Sequence, residues 1–397
     1  MAILYSLPRK WIRYDLVAVS NALIAAKAAV QSLVTVPFQR DWVEKLQQIQ
    51  LKLEVAGTSR IEGADFTEQE LDTALNADRD PSDLFTRSQR QARAAVQTYR
   101  WIASLPPDQP LDLAFVCEVH RKLVTGCDDD HCPPGRLRSS DQNVTFGVPR
   151  HRGCSGGPAC TSAIENLMHS IQAEFRDHDP LIQALALHYH LAAMHPFLDG
   201  NGRTARALES FMYQKAGLRD TAFIAMSNYY YEEKNGYLAV LGQVRSLDHD
   251  LTPFLVFGLR GLEIQCSRLL REITRQMQKA LYRDTMYSLF NRLHSRRKRV
   301  IQKRQIEILR LLLDSDDVPI DDLWKRMQPT YRPLGSQVKA FSRDLNSLIN
   351  LGAMRVSQVG GKWIAKANLA WPSEITESEF FARLKRLPQG KTYGFLP

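Results

Sequence analysis

The residues best suited to chemistry lie in one stretch of twelve, HPFLDGNGRTAR, at positions 195–206. The preceding segment, DPLIQALALHYHLAAM, is rich in helix-forming residues, and Pro196 disfavours helical geometry at His195. His195 is therefore predicted to stand at the end of a helix, with its ring free to face a site. A histidine in that position can accept the proton of an attacking hydroxyl group.

The same stretch predicts an anion-binding turn. Gly200, Asn201 and Gly202 form a flexible turn that opens onto RTARALESFMYQ, a second helical pattern. Backbone N–H groups and the dipole at a helix N-terminus attract a bound anion. Arg203 and Arg206 are three residues apart, so they lie on one helix face and can clamp a polyphosphate. Asp199 is placed to hold Mg²⁺ against the same phosphates.

Two other interpretations of this stretch are weaker. The spacing Gly200-x-Gly202-x-x-Ala205, with Asp220 further on, matches a loose dinucleotide-binding fingerprint. That fingerprint requires a strand before the glycines, whereas a Leu/Ala-rich helical segment precedes them here. A purely structural turn between helices would not require a histidine, a carboxylate and two arginines together.

The stretch resembles the signature of the Fic family, H-x-F-x-[DE]-G-N-G-R-x-x-R, at every fixed position, and the resemblance extends from about residue 100 to about residue 225. It implies a helical core and transfer of AMP from ATP to a hydroxyl side chain of a target protein. By the same resemblance, His195 is the general base and Asp199 holds Mg²⁺. The nucleotide-binding residues that it implies are Gly200, Asn201, Gly202, Arg203, Thr204, Ala205, Arg206 and Tyr237.

Two further segments extend the resemblance. Residues 58–63, TSRIEG, match the family's inhibitory pattern [ST]-x-x-x-E-[GN], which implies that Glu62 reaches Arg206 and blocks the γ-phosphate position. The strand-like segment QNVTFGV at 142–148 corresponds to the family's target-docking hairpin, called the flap below. The flap residues that the resemblance implies are Val144, Thr145, Phe146 and Gly147. Where relatives have two tyrosines near the adenine, this chain has Gly236 and Tyr237.

The composition of the whole chain sets broader limits. Its 397 residues predict two or three domains, and the formal net charge of +9 favours anionic partners without indicating a fold. Periodicity of about 3.6 residues dominates, so we expect a mainly α-helical protein. Lys27 interrupts the longest apolar run near the start, and no secretory signal pattern is present there. These patterns predict a cytoplasmic protein without a membrane span.

Four of the six cysteines flank one segment, as the pairs Cys127/Cys132 and Cys154/Cys160, with His131 and His151 nearby. Neither pair has the tight spacing of common structural zinc sites, so reduced thiols are the favoured interpretation.

The C-terminal region has a separate pattern. Three predicted helices, at 305–313, 319–327 and 336–352, precede MRVSQVGGKWIAK, which is typical of a hairpin with a Gly-Gly turn. This order resembles a winged helix-turn-helix. Lys339 and Arg343 on the third helix could contact DNA, but such modules also serve as dimer or protein-interaction elements. Both alternatives stay open.

The predicted fold is therefore a Fic-type helical core with a small β-hairpin flap, followed by a C-terminal winged helix-turn-helix. The predicted regions are an N-terminal helical region (1–100), a Fic core (101–225), a helical extension (226–300), a winged helix (301–372) and a tail (373–397). The expected partners are ATP and a target protein, with self-modification and a homodimer left open. The alternatives are transfer of UMP, phosphate or phosphocholine, and a DNA-binding regulator that uses the Fic site as a sensor.

Overall fold

The computed structural model describes residues 3–36, 40–64, 67–75, 86–127, 131–147, 150–218, 224–292 and 296–385. Side chains at 40–43, 68, 74–75 and 296–301 lie outside this description. Contacts divide the chain into two units, Met1–Arg271 and Glu272–Pro397.

The first unit is mainly helical, as the periodicity predicts. Its helices are α1 (Leu16–Thr35), α2 (Arg40–Ile61), α3 (Glu68–Leu75), α4 (Arg87–Ser104), α5 (Leu113–Val124), α6 (Pro158–Gln172), α7 (Pro180–Met194), α8 (Asn201–Tyr213), α9 (Met226–Glu232), α10 (Lys234–Ser246) and α11 (Thr252–Asn291), which continues beyond the boundary of the unit. Short 3₁₀ and π turns follow α6 and α8, at Glu174–Asp177 and Gln214–Leu218.

Helix α7 lies at the centre of this unit, and its sequence explains why. Residues 184–194 are all buried, because apolar side chains cover every face of the helix and not one stripe. At its start, the Asp179 carboxylate accepts a hydrogen bond from the Leu181 N–H (3.0 Å), and Pro180 occupies the first turn. Helix α8 packs against α7, so the segment 195–200 that joins them is held on both sides.

A small three-stranded sheet lies beside these helices. Strand β3 (His151–Arg152) pairs with β1 (Ile3–Leu4) in parallel and with β2 (Thr145–Phe146) in antiparallel. The strand predicted over 142–148 is therefore shorter than expected, because Gly147 turns the chain with φ of 75°. Val148 lies outside the described residues.

Helix α1 corrects one expectation from the sequence. It is 20 residues long and, by length and composition, apolar enough to cross a membrane despite Lys27. Only Val19, Ala26 and Leu33 are fully buried, while Val17 and Ile24 are exposed. Core helices of soluble proteins and N-terminal signal sequences have the same length and composition.

The second unit contains the helices and hairpin expected from the sequence. Its elements are α12 (Arg296–Asp314), β4 (Val318–Pro319), α13 (Ile320–Tyr331), α14 (Gln337–Asn350), β5 (Met354–Val359), β6 (Lys362–Ala367), α15 (Trp371–Glu374) and α16 (Glu377–Lys385). The three strands form a sheet in the order β4-β6-β5, with Gly360 and Gly361 at the turn of the hairpin. The end of the predicted tail, 386–397, lies outside the described residues.

Candidate active site

His195 ends α7 in a left-handed backbone conformation, with φ of 53°. Pro196 disfavours the helical conformation at this position, and histidine is among the few residues that tolerate positive φ. The ring Nδ1 lies 2.8 Å from the Ala192 carbonyl oxygen. Because a carbonyl can only accept, Nδ1 carries the hydrogen and Nε2 is left as the basic atom. Burial lowers the pKa of His195 to about 4, so the ring is neutral at pH 7.

Two side chains hold His195 in place: Arg138, which the sequence did not single out, and Phe146 of the predicted flap. The buried Arg138 guanidinium donates to the carbonyl oxygens of His195 (2.7 Å), Gln142 (2.8 Å) and Cys154 (2.6 Å), tying the end of α7 to the flap. On the other side, the Phe146 ring of the flap stacks on the His195 ring at 3.7 Å between centroids. The flap therefore lies directly over the basic histidine.

The turn from Asp199 to Gly202 starts α8. Gly200 has φ of 73°, and a Cβ atom there would lie 2.7 Å from Val124 Cγ1, so only glycine fits. The Asn201 side chain bonds both the N–H (2.8 Å) and the carbonyl (2.9 Å) of Phe197, and Thr204 Oγ1 donates to the Gly200 carbonyl (2.8 Å). Both residues therefore fix the shape of the turn.

His120, on helix α5, supports the same turn. Its Nδ1 accepts a hydrogen bond from the Gly135 N–H (3.0 Å), so its Nε2 carries the hydrogen and donates to the Asp199 carbonyl (3.0 Å). The ring stacks on Phe197 at 3.7 Å. Burial lowers the pKa of His120 to about 4, so these hydrogen bonds are made by the neutral ring.

The Asp199 carboxylate is half-exposed and lines the cavity described below. It contacts Arg203 at 3.1 Å and Arg87 at 3.5 Å. Arg203 itself is buried, and its Nε and Nη1 atoms have no hydrogen-bond partner within the described part of the chain. A single accessible carboxylate fits Mg²⁺, which takes one or two protein carboxylates and completes its shell with phosphates and water. No cluster of three or more His, Cys, Asp or Glu side chains suited to a metal occurs among the described residues.

Arg206 is buried under the end of α2. Its Nε donates to Thr58 Oγ1 (2.9 Å), and its Nη2 reaches the Thr58 carbonyl (3.2 Å) and the Glu62 carboxylate (2.5 Å). A Cβ atom on Gly202 would lie 2.3 Å from the same Glu62 oxygen. Glu62 therefore lies across the turn and against the arginine, 144 positions away in sequence.

Tyr237 and His188 fix the other side of Arg206. The Tyr237 hydroxyl lies 3.4 Å from Arg206 Nη1 and 2.8 Å from His188 Nε2, and His188 Nδ1 bonds the Glu209 carboxylate. The Tyr237 ring is buried and stacked on Tyr230 at 4.6 Å. In this structure, Tyr237 supports the arginine through its hydroxyl.

These parts meet in one cavity of about 320 Å³. The predicted residues that line it are Glu62, Phe146, Gly147, His195, Asp199, Gly200, Asn201, Gly202, Arg206 and Tyr237. Arg203, Thr204 and Ala205 lie behind the turn, and Val144 and Thr145 lie in the flap away from the cavity lining. Sequence reasoning missed Arg138 and His120, and also His151 and Arg245, which line the cavity.

Comparison with known proteins matches the segment that contains His195 and the turn to a known family. Residues 110–213 match the model of the Fic/DOC family, and the cavity is built around the end of that segment. The chain contains a Fic domain.

Relatives of the Fic domain carry a consistent name. "Protein adenylyltransferase Fic" of Nematostella vectensis is 30% identical over 156 residues, which is 37% of this chain and 31% of that protein. The protein of the same name from Aedes aegypti is 30% identical over 151 residues, covering 37% of this chain and 27% of its own length. The aligned region thus spans about a third of these curated relatives or less.

Solved structures show the same fold over more of the chain. A Fic family protein from Desulfovibrio desulfuricans superposes with a TM-score of 0.57 at 16% identity, covering 92% of this chain and 99% of that one. Fic-1 (residues 134–508) of C. elegans gives a TM-score of 0.54 at 18% identity, covering 66% and 74%. The expected Fic-type helical fold is confirmed.

Proposed function

We propose that this Fic domain is a transferase that moves AMP from ATP to a Ser, Thr or Tyr hydroxyl of a target protein. The names of the relatives agree with this activity. The observation that carries the proposal is the shared cavity, in which the basic His195 Nε2 lies in the same space as the Gly200–Gly202 turn and Arg206.

The chemistry follows from these positions. The target hydroxyl gives its proton to His195 Nε2, and its oxygen forms a bond to the α-phosphorus of ATP. The bond between the α-phosphorus and the bridging oxygen breaks, and pyrophosphate leaves. The turn and Arg206 bind the phosphates, so catalysis is mainly positioning and charge neutralisation. Mg²⁺ held by Asp199 would supply further neutralisation of phosphate charge when bound.

Two additional roles complete the proposal. Strand β2 pairs with β3 on one side only among the described strands, so a target backbone can add to its other edge. Glu62 acts as an inhibitory group, because an arginine paired with a carboxylate cannot also clamp a γ-phosphate, and the carboxylate repels that phosphate. Location in the cytoplasm stays a prediction.

The test is to incubate the protein with ATP labelled at either the α or the γ phosphorus and to follow protein-bound label. AMP transfer requires α-label alone to be retained; retention of γ-label would indicate phosphate transfer, and labelled UTP or CDP-choline tests the remaining donors. His195→Ala should lower transfer by about 10²- to 10⁴-fold, since it removes the base, with ATP binding largely unchanged. His169→Ala, an exposed histidine on α6, is the matched control. Near-normal transfer by His195→Ala would refute the assignment of the base.

A second candidate function concerns the C-terminal unit. Lys339 and Arg343 are both exposed on α14, beside a hairpin that carries the exposed Lys362 and Lys366. If this unit binds DNA, the Lys339→Ala/Arg343→Ala variant should weaken binding and flatten its salt slope by about one or two units. No retention of the wild-type chain on duplex DNA at low salt would leave this unit as a protein-interaction or dimer element.

A further inference from the structure

One face of α10 runs along the cavity from the phosphate end to the flap. Tyr237, Leu238, Leu241, Gly242 and Arg245 all line it, at spacings that place them on one side of a helix. The Tyr237 hydroxyl lies at Arg206, whereas Arg245 lies eight residues further along, or about 12 Å at 1.5 Å per residue. Arg245 is therefore far from the Arg206–Glu62 pair.

Arg245 carries a charge that the described residues leave unpaired. Its guanidinium carbon lies 4.4 Å from the centroid of the Phe146 ring, and its Nη2 makes one long hydrogen bond, to the Ala192 carbonyl at 3.4 Å. Its Nε is buried without a hydrogen-bond partner, and no carboxylate forms an ion pair with it, within the described part of the chain. Burial lowers the pKa of Arg245 to about 10, which leaves it charged at pH 7. A desolvated cation without an anion is costly, so such a group in a cavity indicates an anionic ligand.

His151 lies beside it. This side chain on β3 is only 2% exposed, and both of its ring nitrogens lack hydrogen-bond partners among the described residues. It lines the same cavity, and its Nε2 lies 3.9 Å from where a Cβ atom on Gly242 would stand. Burial and, second, the charge of Arg245 lower the pKa of His151 to about 4, so the ring is neutral and can donate one hydrogen bond.

We infer that Arg245 and His151 form a specificity site for a carboxylate side chain of the target protein, next to the hydroxyl that receives the transferred group. The inference rests on the proposed function and adds the class of target sequence. A target side chain is favoured over a nucleotide phosphate because Arg245 lies over Phe146 of the flap, where the proposed function has the target dock, and not at the turn at Gly202. A guanidinium held over an aromatic ring presents a planar fork of N–H donors, which suits bidentate binding of a carboxylate.

The test uses two degenerate peptide pools with a central Ser, Thr or Tyr. Flanking positions contain Ala, Gly and Val together with either Asp and Glu or Lys and Arg. The full-length chain with Glu62→Gly is supplied with α-labelled ATP, and incorporation into each pool is compared. We expect the acidic pool to be preferred by about tenfold or more, as a charge-assisted contact of about 1.5 kcal/mol requires.

Three substitutions in the Glu62→Gly chain test whether Arg245 and His151 cause this preference. Arg245→Gln should bring the ratio between the pools close to one, Arg245→Glu should favour the basic pool, and His151→Leu should reduce incorporation into the acidic pool selectively. Arg260→Glu, an exposed residue of α11 with the same charge change, is the matched control and should keep the acidic preference. Thermal melting checks folding, and Arg245→Gln alone carries the test if Arg245→Glu does not fold.

Two results would overturn the inference. One is an acidic preference that survives Arg245→Gln; the other is a loss of ATP affinity that matches the loss of transfer, which would assign Arg245 to the nucleotide. If the Glu62→Gly chain labels neither pool nor itself, the proposed function fails. The inferred carboxylate site is then tested separately, by fluorescence anisotropy of the tagged peptide pools bound to the chain without nucleotide. Binding of the acidic pool that Arg245→Gln abolishes supports the site, whereas equal binding of both pools contradicts it.

Discussion

Replacement of Glu62 tests the contact that joins the two most distant parts of the site. The Glu62 carboxylate lies 2.5 Å from Arg206 Nη2 and over the turn at Gly202, where a γ-phosphate would compete for the same guanidinium. A hydrogen bond to a charged group contributes about 1.5–3 kcal/mol. Under the proposed function, ATP must displace this pair to bind productively. Removal of the Glu62 carboxylate should therefore raise transfer roughly ten- to a hundredfold at about 1.4 kcal/mol per decade.

The assay is a double-mutant cycle on incorporation of α-labelled ATP. Glu62→Gly should raise incorporation, and the isosteric Glu62→Gln should raise it less, because the amide can still accept from Arg206 without the charge. Arg206→Ala should abolish the gain, since release of the arginine matters only if the arginine is present. Arg206 keeps Thr58 and Tyr237 as partners, and the Glu62 side chain is one-third exposed, so we expect Glu62→Gly to lower the stability by only about 1 kcal/mol or less.

Two outcomes would contradict this reasoning. Equal incorporation by wild type and Glu62→Gly would show that the carboxylate only ends a helix. A gain that persists in the Glu62→Gly/Arg206→Ala chain would show that Glu62 acts through another group.

Two other predictions concern packing and acid stability. Gly57→Ala places a Cβ atom 2.4 Å from a backbone carbonyl of α9, so α2 must shift. We expect this variant to show raised transfer in the labelling assay and a loss of about 1–3 kcal/mol in stability in urea unfolding. Gly335→Ala, whose Cβ meets nothing within 4 Å, is the control and should change neither. Burial lowers the pKa of His120 to about 4 and that of His190 to about 3. As the pH drops below about 6.5, these histidines therefore take up protons in the unfolded chain before they do so in the folded one. The free energy of unfolding should fall by about 1.4 kcal/mol per pH unit for each histidine. Glu54, whose pKa burial raises to about 7, opposes this with one proton; an unfolding midpoint in urea that stays constant from pH 6.5 to 5 would contradict the prediction.

The parts of the site that the sequence predicts are those specified locally. Pro196 and the glycines that follow determine where α7 ends and α8 begins, and the structure has that end at Met194 and that start at Asn201. The helix order and the Gly-Gly hairpin of the second unit follow from periodicity and turn residues in the same way.

The sequence could not predict the residues that support the site from a distance. Arg138, His120 and Arg245 have no motif, and their importance depends on which backbone or ring they meet after folding. Tyr237 illustrates the limit: the resemblance placed it near the adenine, but its burial against Tyr230 and its hydrogen bond to His188 follow from packing that no local pattern encodes. The interruption by Lys27 does not exclude a membrane helix by composition, because one lysine in 20 residues leaves a helix apolar enough to pass that test.

The proposed inhibition is a property of how α2 is docked and not of Glu62 alone. Glu54, buried on the same helix, accepts hydrogen bonds from the Ser227 N–H (2.7 Å) and the Tyr99 hydroxyl (2.9 Å), which tie α2 to α9 and α4. At Gly57 the backbones of α2 and α9 approach so closely that no side chain fits. Glu62, the residue directly after the end of the same helix, reaches Arg206. Because these contacts lie along one rigid helix, any binding event that separates α2 from α9 would also withdraw the carboxylate from the arginine. Release of the proposed inhibition therefore requires only a shift of α2, with no change in the Fic residues themselves.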